Sequence, residues 1–214
     1  MKKILLRILL VIVAFILIVI LNLVMFNRTA SKITEGTPIT TSGSDQTALL
    51  IIDIQEGTTG STSATESYID QSEELILNLN RFAEEAYEDN WTIIYIRSEV
   101  VNPLINLINN TMARGSEGAE LDQRLMLVSD QIITKRKNDS FNGTELDQLL
   151  MENNIGKIVV AGLDAAHCVH SAVLAALNRN YQVAIFTEGI IAANEADMVS
   201  AMQEFRDLGV EVME

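Results

Sequence analysis

Three side chains of the sequence have the types and positions needed for nucleophilic chemistry. Cys168 is the only cysteine among 214 residues and stands in the segment GLDAAHCVHSA. Asp53 ends the apolar run ALLIID, and Lys135 ends the run QIITK. A carboxylate can take the proton of a thiol, and the thiolate can then attack a carbonyl carbon. An ammonium group can balance the charges of both neighbours and lower their pKa values.

Each of these residues, taken alone, has a simpler interpretation. Cys168 can be a small buried hydrophobic residue, as most free cysteines are. Asp53 can cap a helix or form a loop ion pair, and Lys135 can belong to a solvated basic cluster with the two residues that follow it. The three residues together indicate a catalytic site more specifically than any one of them does, because all three stand where a predicted strand ends or the next helix begins. Near a helix start, unpaired N–H groups favour a thiolate at Cys168.

An alternation of apolar runs and amphipathic segments predicts the elements that position these residues. The predicted strands are 48–54, 92–97, 131–135, 157–162, 182–187 and 210–212, and the predicted helices are 66–90, 102–110, 144–153, 167–179 and 195–208. This order predicts an α/β fold with a doubly wound, mainly parallel six-stranded sheet and helices on both faces. Ligands of such sheets bind beyond the carboxyl ends of the strands, where the three side chains are expected.

The first 26 residues predict a transmembrane anchor. From Ile8 to Phe26 the chain has 19 residues, of which Asn22 is the only strongly polar one. A helix of this length rises about 28 Å, close to the roughly 30 Å of a hydrocarbon core, and it has no polar face. Residues 27–46 are polar and rich in Thr and Ser, which predicts a flexible tether before a domain at 47–214.

A cleaved signal peptide is the alternative interpretation of the same segment. The apolar run is longer than the usual h-region of about 7–15 residues, and Arg28 occupies the position where cleavage before Ser31 would need a small residue. More basic residues precede the span than follow it: Lys2, Lys3 and Arg7 against Arg28 and Lys32. This bias predicts a single-pass protein of the cell membrane whose domain lies outside the cytoplasm.

The charge of the chain excludes some partners. The formal net charge is −14, and the 174 residues from 41 onward contain 28 of the 29 acidic side chains. Such a domain is not expected to bind nucleic acid, because that binding depends largely on Lys and Arg. Abundant apolar residues and a single cysteine also exclude a disordered chain and a disulfide scaffold. The G-x-G-x-x-G pattern is missing after Gly162, so no dinucleotide cofactor is expected.

Four segments, in order along the chain, resemble the isochorismatase-like cysteine hydrolase superfamily, which includes nicotinamidases and N-carbamoyl amidohydrolases. They are ALLIIDIQ (48–55), RGSEGAEL (114–121), ITKRKNDSFNGTELDQLL (133–150) and KIVVAGLDAAHCVHSAVLAALNRNYQVAIF (157–186). The resemblance implies a catalytic triad with Asp53 as general base, Lys135 as the triad lysine and Cys168 as nucleophile.

The resemblance also implies the surroundings of the triad. It places a cis peptide bond between Leu163 and Asp164 and an oxyanion hole formed by the backbone N–H groups of Asp164 and Cys168. Gln55 and Phe141 match positions that support the site.

The sequence departs from the superfamily pattern in two respects. Nicotinamidases bind a metal through an Asp and histidines after the second strand, whereas the two histidines here, His167 and His170, flank Cys168. We therefore expect no metal, and nicotinamide is disfavoured as a substrate. Ala165 replaces a common threonine, and the stretch EGTTGSTS (56–63) replaces a frequent aromatic residue, so the substrate pocket differs.

The sequence thus predicts a membrane-anchored cysteine hydrolase that cleaves a C–N bond of a small amide or carbamoyl substrate through a thioester. Two alternatives stay open: an isochorismate-type hydrolase and a catalytically inactive, tethered binding module. The expected partners are a small-molecule substrate and the membrane, and self-association into a homo-oligomer is left open.

Overall fold

The computed structural model describes residues 2–40 and 46–214 and contains one six-stranded sheet in this part of the chain. The strands are β1 (Gln46–Ile52), β2 (Thr92–Ser98), β3 (Ile132–Lys135), β4 (Ile155–Leu163), β5 (Gln182–Ile191) and β6 (Glu211–Met213). The helices are α1 (Lys2–Ala30), α2 (Glu66–Glu88), α3 (Pro103–Ile108), α4 (Leu146–Glu152), α5 (Cys168–Asn178) and α6 (Glu195–Asp207). Residues 117–119 add a short 3₁₀ turn.

The strands lie in the order β3-β2-β1-β4-β5-β6, and every neighbouring pair is parallel. The chain therefore builds outward from β1 to one edge and then returns to build outward from β4 to the other. This confirms the predicted doubly wound sheet. The reversal between β1 and β4 is the place where such folds leave a crevice for a ligand.

Two apolar layers cover the faces of the sheet, which explains why β1 is apolar at consecutive positions. Leu49 and Ile51 pack with α2 on one face. Leu50 and Ile52 point to the other face, where α4, α5 and α6 contribute side chains such as Phe205. Helices thus lie on both faces, as predicted.

The fifth strand is longer than its apolar pattern predicted. The run that stops at Thr187 resumes at Ile190 after the polar Glu188 and Gly189, and β5 continues to Ile191. The pairing with β4 shifts register there, so the polar interruption is accommodated as an irregularity within one strand. The predicted strand ended at Thr187 because the apolar pattern of the sequence stops there.

The N-terminal segment forms a single helix, α1, which ends at Ala30 and so extends four residues beyond the predicted end of the anchor. It is long and apolar enough to cross a membrane, and a signal sequence has the same properties. The helix therefore fits either interpretation of the sequence.

Residues 31–40, which the sequence predicted as part of a flexible tether, lie against the domain. The N–H and the hydroxyl of Thr34 donate to Asp139 Oδ2 over 2.8 and 2.7 Å. Arg179 donates to the carbonyl and hydroxyl oxygens of Thr34, and its own carbonyl accepts from Ile39 N–H at 2.8 Å. These bonds hold the segment that follows α1 against the domain. Residues 41–45 of the predicted tether lie outside the described residues, and the predicted boundaries at 26 and 46 stay predictions.

Candidate active site

The predicted triad residues stand at one edge of the sheet because each follows or ends a parallel strand. Asp53 directly follows β1, and its N–H donates to the carbonyl of Ile96 on β2 at 2.8 Å. Its backbone has φ 59°, in the left-handed region that Asp and Asn enter more readily than most residues. Lys135 is the last residue of β3, and Cys168 is the first residue of α5, after β4.

Lys135 joins the three side chains. Its Nζ donates to Asp53 Oδ2 at 2.8 Å, to Ser98 Oγ at 2.8 Å and to Cys168 Sγ at 3.1 Å. The lysine is fully buried, and Asp53 is only 5% exposed. Because an ammonium group has three protons, these contacts use its whole donor capacity. The structure therefore brings together the three residues that the sequence singled out.

Ser98 is a further member of this cluster that the sequence analysis missed. Its hydroxyl donates to Asp53 Oδ1 at 2.9 Å while accepting from Lys135 Nζ. Ser98 ends β2, which lies next to β1 in the sheet. The rule used for Asp53 and Lys135 could have found it, but the predicted strand 92–97 ended at Arg97, one residue before Ser98.

We expect Ser98→Ala to lower kcat on a cleavable substrate about tenfold and the free energy of unfolding by about 1.5–3 kcal/mol, because a buried carboxylate loses a hydrogen bond. Steady-state kinetics and urea unfolding measure the two effects. Ser129→Ala is the matched control, since that hydroxyl donates to the carbonyl of Ile93 at the other end of β2. An unchanged kcat in Ser98→Ala would show that the hydroxyl does not orient Asp53.

Gln55 holds the backbone of Ser98 from both sides. Its Nε2 donates to the carbonyl of Ser98 at 3.0 Å, and its Oε1 accepts from the N–H of Ser98 at 2.7 Å. The amide also donates to the carbonyl of Ala119 at 2.7 Å. The side chain is thus placed to support the cluster, in the position that the resemblance implied.

Burial and charge set the protonation of the cluster. Burial alone would lower the pKa of Lys135, but the Asp53 carboxylate and Cys168 outweigh it and raise that pKa above its usual value. Burial, and next the Asp53 carboxylate, raise the pKa of the Cys168 thiol to about 12 despite the nearby ammonium group. Burial and the Asp53 carboxylate thus oppose the thiolate that the lysine and the helix start favour, and they raise the pKa of the Cys168 thiol. The ion pair at rest is Asp53 with Lys135, and the thiol is neutral.

The raised pKa predicts how fast Cys168 reacts with iodoacetamide. Only the thiolate reacts, so the alkylation rate should be low at neutral pH and rise about tenfold per pH unit through pH 10. Val199→Cys in a Cys168→Ala background supplies an exposed thiol whose rate should level off above about pH 9. A Cys168 rate that reached a plateau below pH 9 would contradict this prediction.

The turn before α5 is organised by Asp164, which follows a cis peptide bond at the predicted position, Leu163–Asp164. Its Oδ1 accepts from the N–H of Ala166 at 2.7 Å, and its Oδ2 accepts from Ala193 N–H and from the Tyr68 hydroxyl. Burial and the Asp164 carboxylate raise the pKa of Tyr68, so the phenol keeps its proton. Among the described residues, nothing accepts from the N–H groups of Asp164 or Cys168. Both donors are thus free for a ligand.

A pocket of about 360 Å³ opens over Cys168 and Asp53. Leu163 and Asp164 form part of its wall, as implied by the resemblance, and other lining residues are Asn27, Thr58, Tyr68, Asn138 and His167. Phe141 is buried in the core, stacks on Tyr181 and lies under the guanidinium of Arg179, and it is not one of the described residues that line the pocket. Its predicted supporting role is therefore at most indirect.

Neither histidine belongs to the hydrogen-bonded cluster around Lys135, although His167 lines the pocket. His167 is exposed and precedes α5, while Nε2 of His170 lies 3.0 Å from Glu204 Oε1 on α6. Over residues 2–40 and 46–214, no group of three or more His, Cys, Asp or Glu side chains is placed to hold a metal ion. In the described structure the site consists of a thiol, a carboxylate, an ammonium group and two free N–H donors.

A comparison with protein families identifies the class to which this fold and site belong. The family model described as the isochorismatase domain matches residues 47–214. The chain therefore belongs to the isochorismatase family of hydrolases, which confirms the resemblance seen in the four segments.

Individual relatives are distant. An uncharacterised isochorismatase family protein of Bacillus subtilis is 25% identical over 154 residues, which are 72% of this chain and 78% of that protein. A probable inactive nicotinamidase of Arabidopsis thaliana is 25% identical over 186 residues, covering 77% of this chain and 90% of the relative. The solved structure of N-carbamoylsarcosine amidase from Thermoplasma acidophilum shares the fold with a TM-score of 0.66 and 23% identity, covering 79% of this chain and 96% of that one.

Proposed function

We propose that this protein is a cysteine hydrolase that cleaves a C–N bond of an amide or carbamoyl substrate through a thioester. The observation that carries the proposal is the position of Lys135 Nζ, 2.8 Å from Asp53 Oδ2 and 3.1 Å from Cys168 Sγ, since Asp53 and Cys168 both line the pocket. The lysine pairs with the carboxylate beside the thiol. Asp53 is then the only anion of the cluster, and it serves as the base.

The reaction proceeds by transfer of the thiol proton to Asp53 as the substrate carbonyl approaches. Cys168 Sγ bonds to the carbonyl carbon, and the oxyanion accepts from the N–H groups of Asp164 and Cys168. The C–N bond then breaks, and the leaving amine takes the proton from Asp53. Asp53 next removes a proton from water, which attacks the thioester and releases the acid and the thiol. Because proton and nucleophile move together, a thiol pKa of about 12 is compatible with turnover at neutral pH.

The thioester provides the direct test. We expect acid quenching during turnover of a panel of amides and carbamoyl compounds to leave an acyl group on the peptide that contains Cys168, detected by mass spectrometry. Cys168→Ala is the control and should carry no adduct. A panel in which substrate is consumed without any adduct, and consumed equally by the variant, would overturn the covalent mechanism.

A catalytically inactive binding module is the second candidate function. It is favoured by the relative named a probable inactive nicotinamidase and by the departures from the superfamily pattern at Ala165 and in the stretch 56–63, of which Thr58 lines the pocket. Isothermal titration with the same panel separates the candidates, since a binding module retains ligand without consuming it. Including isochorismate in the panel tests the remaining alternative, a vinyl-ether hydrolase that needs no thiol.

We also propose that α1 is an uncleaved anchor and that the domain lies outside the cytoplasm. The support is the length of the apolar helix and the basic residues that precede it. The intact mass of the mature protein tests retention, because cleavage near Ala30 would remove the whole helix. Protease accessibility of the domain in intact cells tests the orientation.

A further inference from the structure

The C-terminal turns of α1 lie along the domain on one face of the helix. Val19, Asn22 and Phe26 are partly buried and are spaced i, i+3 and i+7. Asn22, the polar residue inside the apolar run, accepts a hydrogen bond from Asn102 Nδ2 at 2.9 Å. The domain therefore touches α1 within the apolar part of the helix, and the contact does not begin only at its polar end.

Asn102 also starts the short helix α3. Its Oδ1 accepts from the N–H groups of Leu104 and Ile105 at 3.0 and 3.3 Å. α3 has no fully buried residue, and its last two side chains, Leu107 and Ile108, are 83% and 75% exposed. The surrounding stretch 100–113 contains no charged residue. An uncharged apolar tip of this kind is unusual on so acidic a domain.

The C-terminal end of α1 also reaches the active-site pocket. Asn27, directly after the apolar run, lines the pocket together with Cys168. The carbonyl of Ala30 accepts from the N–H of Asn138, another lining residue, at 3.0 Å. If α1 spans a bilayer, the pocket lies where this helix leaves the hydrocarbon core. It then lies on the same side of the bilayer as residues 101–108, which we call the α3 tip.

We propose that the α3 tip, residues 101–108, enters the surface of the bilayer that α1 spans, and that the pocket draws an amphiphilic amide from that bilayer. The carbonyl of such a substrate reaches Cys168 past Asn27 while its acyl chain stays among the lipids. This inference rests on the proposed C–N hydrolysis and names its substrate class. In chemical terms, the bond broken is the amide bond of a lipid or of another long-chain acyl compound.

A bilayer fits this surface better than a protein partner does. The hydrogen bond between Asn102 and Asn22 ties the tip to a residue about one turn inside the apolar run, so the tip and the lipid-facing part of α1 lie at the same level. Leu107 and Ile108 are exposed on the short helix that starts at Asn102, the residue bonded to α1. Because the stretch 100–113 has no charged residue, no charged side chain of this stretch would have to enter the bilayer at a cost.

Lipid quenching tests the position of the tip. The full-length chain has one cysteine, so Leu107→Cys in the Cys168→Ala background can carry a single environment-sensitive fluorophore. In phosphatidylcholine vesicles with brominated acyl chains, we expect strong quenching at position 107. The matched control is Val199→Cys in the same background, an exposed position on α6 beside β6, at the far edge of the sheet. Equal quenching at the two positions would overturn the proposal.

Activity tests the substrate class. The full-length protein in vesicles is given two amides with the same headgroup, one with a short soluble acyl chain and one with a long chain in the bilayer. We expect Leu107→Asn/Ile108→Asn to lower hydrolysis of the long-chain amide about tenfold or more, because two apolar side chains lose their lipid contacts, and to leave the short-chain rate unchanged. Equal effects on both amides would overturn the assignment of the substrate.

The outcomes separate this inference from the proposed function. In one outcome, wild type hydrolyses short amides with no preference for the long-chain amide and shows no quenching at position 107. This outcome overturns the inference about the membrane and leaves the proposed hydrolase function standing. Quenching at 107 without turnover of any amide contradicts the hydrolase and the substrate class, while the membrane contact of the α3 tip stands by itself.

Discussion

Cys168→Ala is expected to lower the turnover of any cleavable amide or carbamoyl substrate by about 10⁴-fold or more, because the variant has no nucleophile to form the thioester. The residual rate should come from the binding of substrate near the two free N–H donors. Steady-state kinetics with the substrate identified by the panel measures the effect. KM should change little, since the sulfur contributes little to binding before the carbonyl is attacked.

The fold should survive this substitution. Cys168 and alanine are both small, and the hydrogen bonds of Lys135 to Asp53 and Ser98 remain. Thermal unfolding of the variant within a few degrees of wild type would show that the loss is chemical. Retention of more than about a tenth of the wild-type kcat would instead mean that water attacks the substrate directly, without a covalent intermediate.

Lys135→Met is expected to lower the free energy of unfolding by about 3–5 kcal/mol near neutral pH, because it leaves the buried Asp53 carboxylate without its cation. Asp53 would keep the Ser98 hydroxyl and the Cys168 thiol as partners of its side chain, and neither of them carries a positive charge. The variant should also lose turnover, since the carboxylate and thiol no longer share an ammonium group. Urea unfolding followed by circular dichroism measures the change in stability.

Lys157→Met provides a matched control. Lys157 Nζ lies 2.8 Å from Glu211 Oε2, the same separation as in the buried pair, but the lysine and glutamate side chains are 27% and 59% exposed. Water screens this ion pair, so its loss should cost less than about 1 kcal/mol and leave activity unchanged. Similar losses in the two variants would mean that burial does not govern the stability contributed by the Lys135–Asp53 pair.

The sequence by itself determined the architecture and three of the residues of the candidate active site. Apolar runs long enough for buried strands, each followed by an amphipathic segment, predicted a parallel sheet. Because parallel strands all end at the same edge, the residues that follow them had to lie close together. Asp53, Lys135 and Cys168 were found by this rule, and their proximity is a consequence of local pattern and topology alone.

Other features depend on contacts between residues far apart in the chain. Ser98 enters the cluster through the pairing of β2 with β1, and the continuation of β5 beyond Thr187 depends on β4, which tolerates the interruption. Phe141 matched a supporting position by resemblance, yet it packs in the core away from the pocket. Periodicity reports which face a residue occupies; it does not report which of several buried neighbours that residue will meet.

Only the tertiary structure decided the burial of the thiol and the position of the N-terminal helix. The position of Cys168 at a helix start favours a thiolate, whereas desolvation by the surrounding fold raises the pKa of its thiol. The polar segment after Phe26 was typical of a tether, whereas Thr34 and Ala30 are bonded to the domain and Asn27 lines the pocket. Both outcomes have the same physical reason: solvent exclusion and long-range hydrogen bonds are properties of the assembled fold, and no window of the sequence contains them.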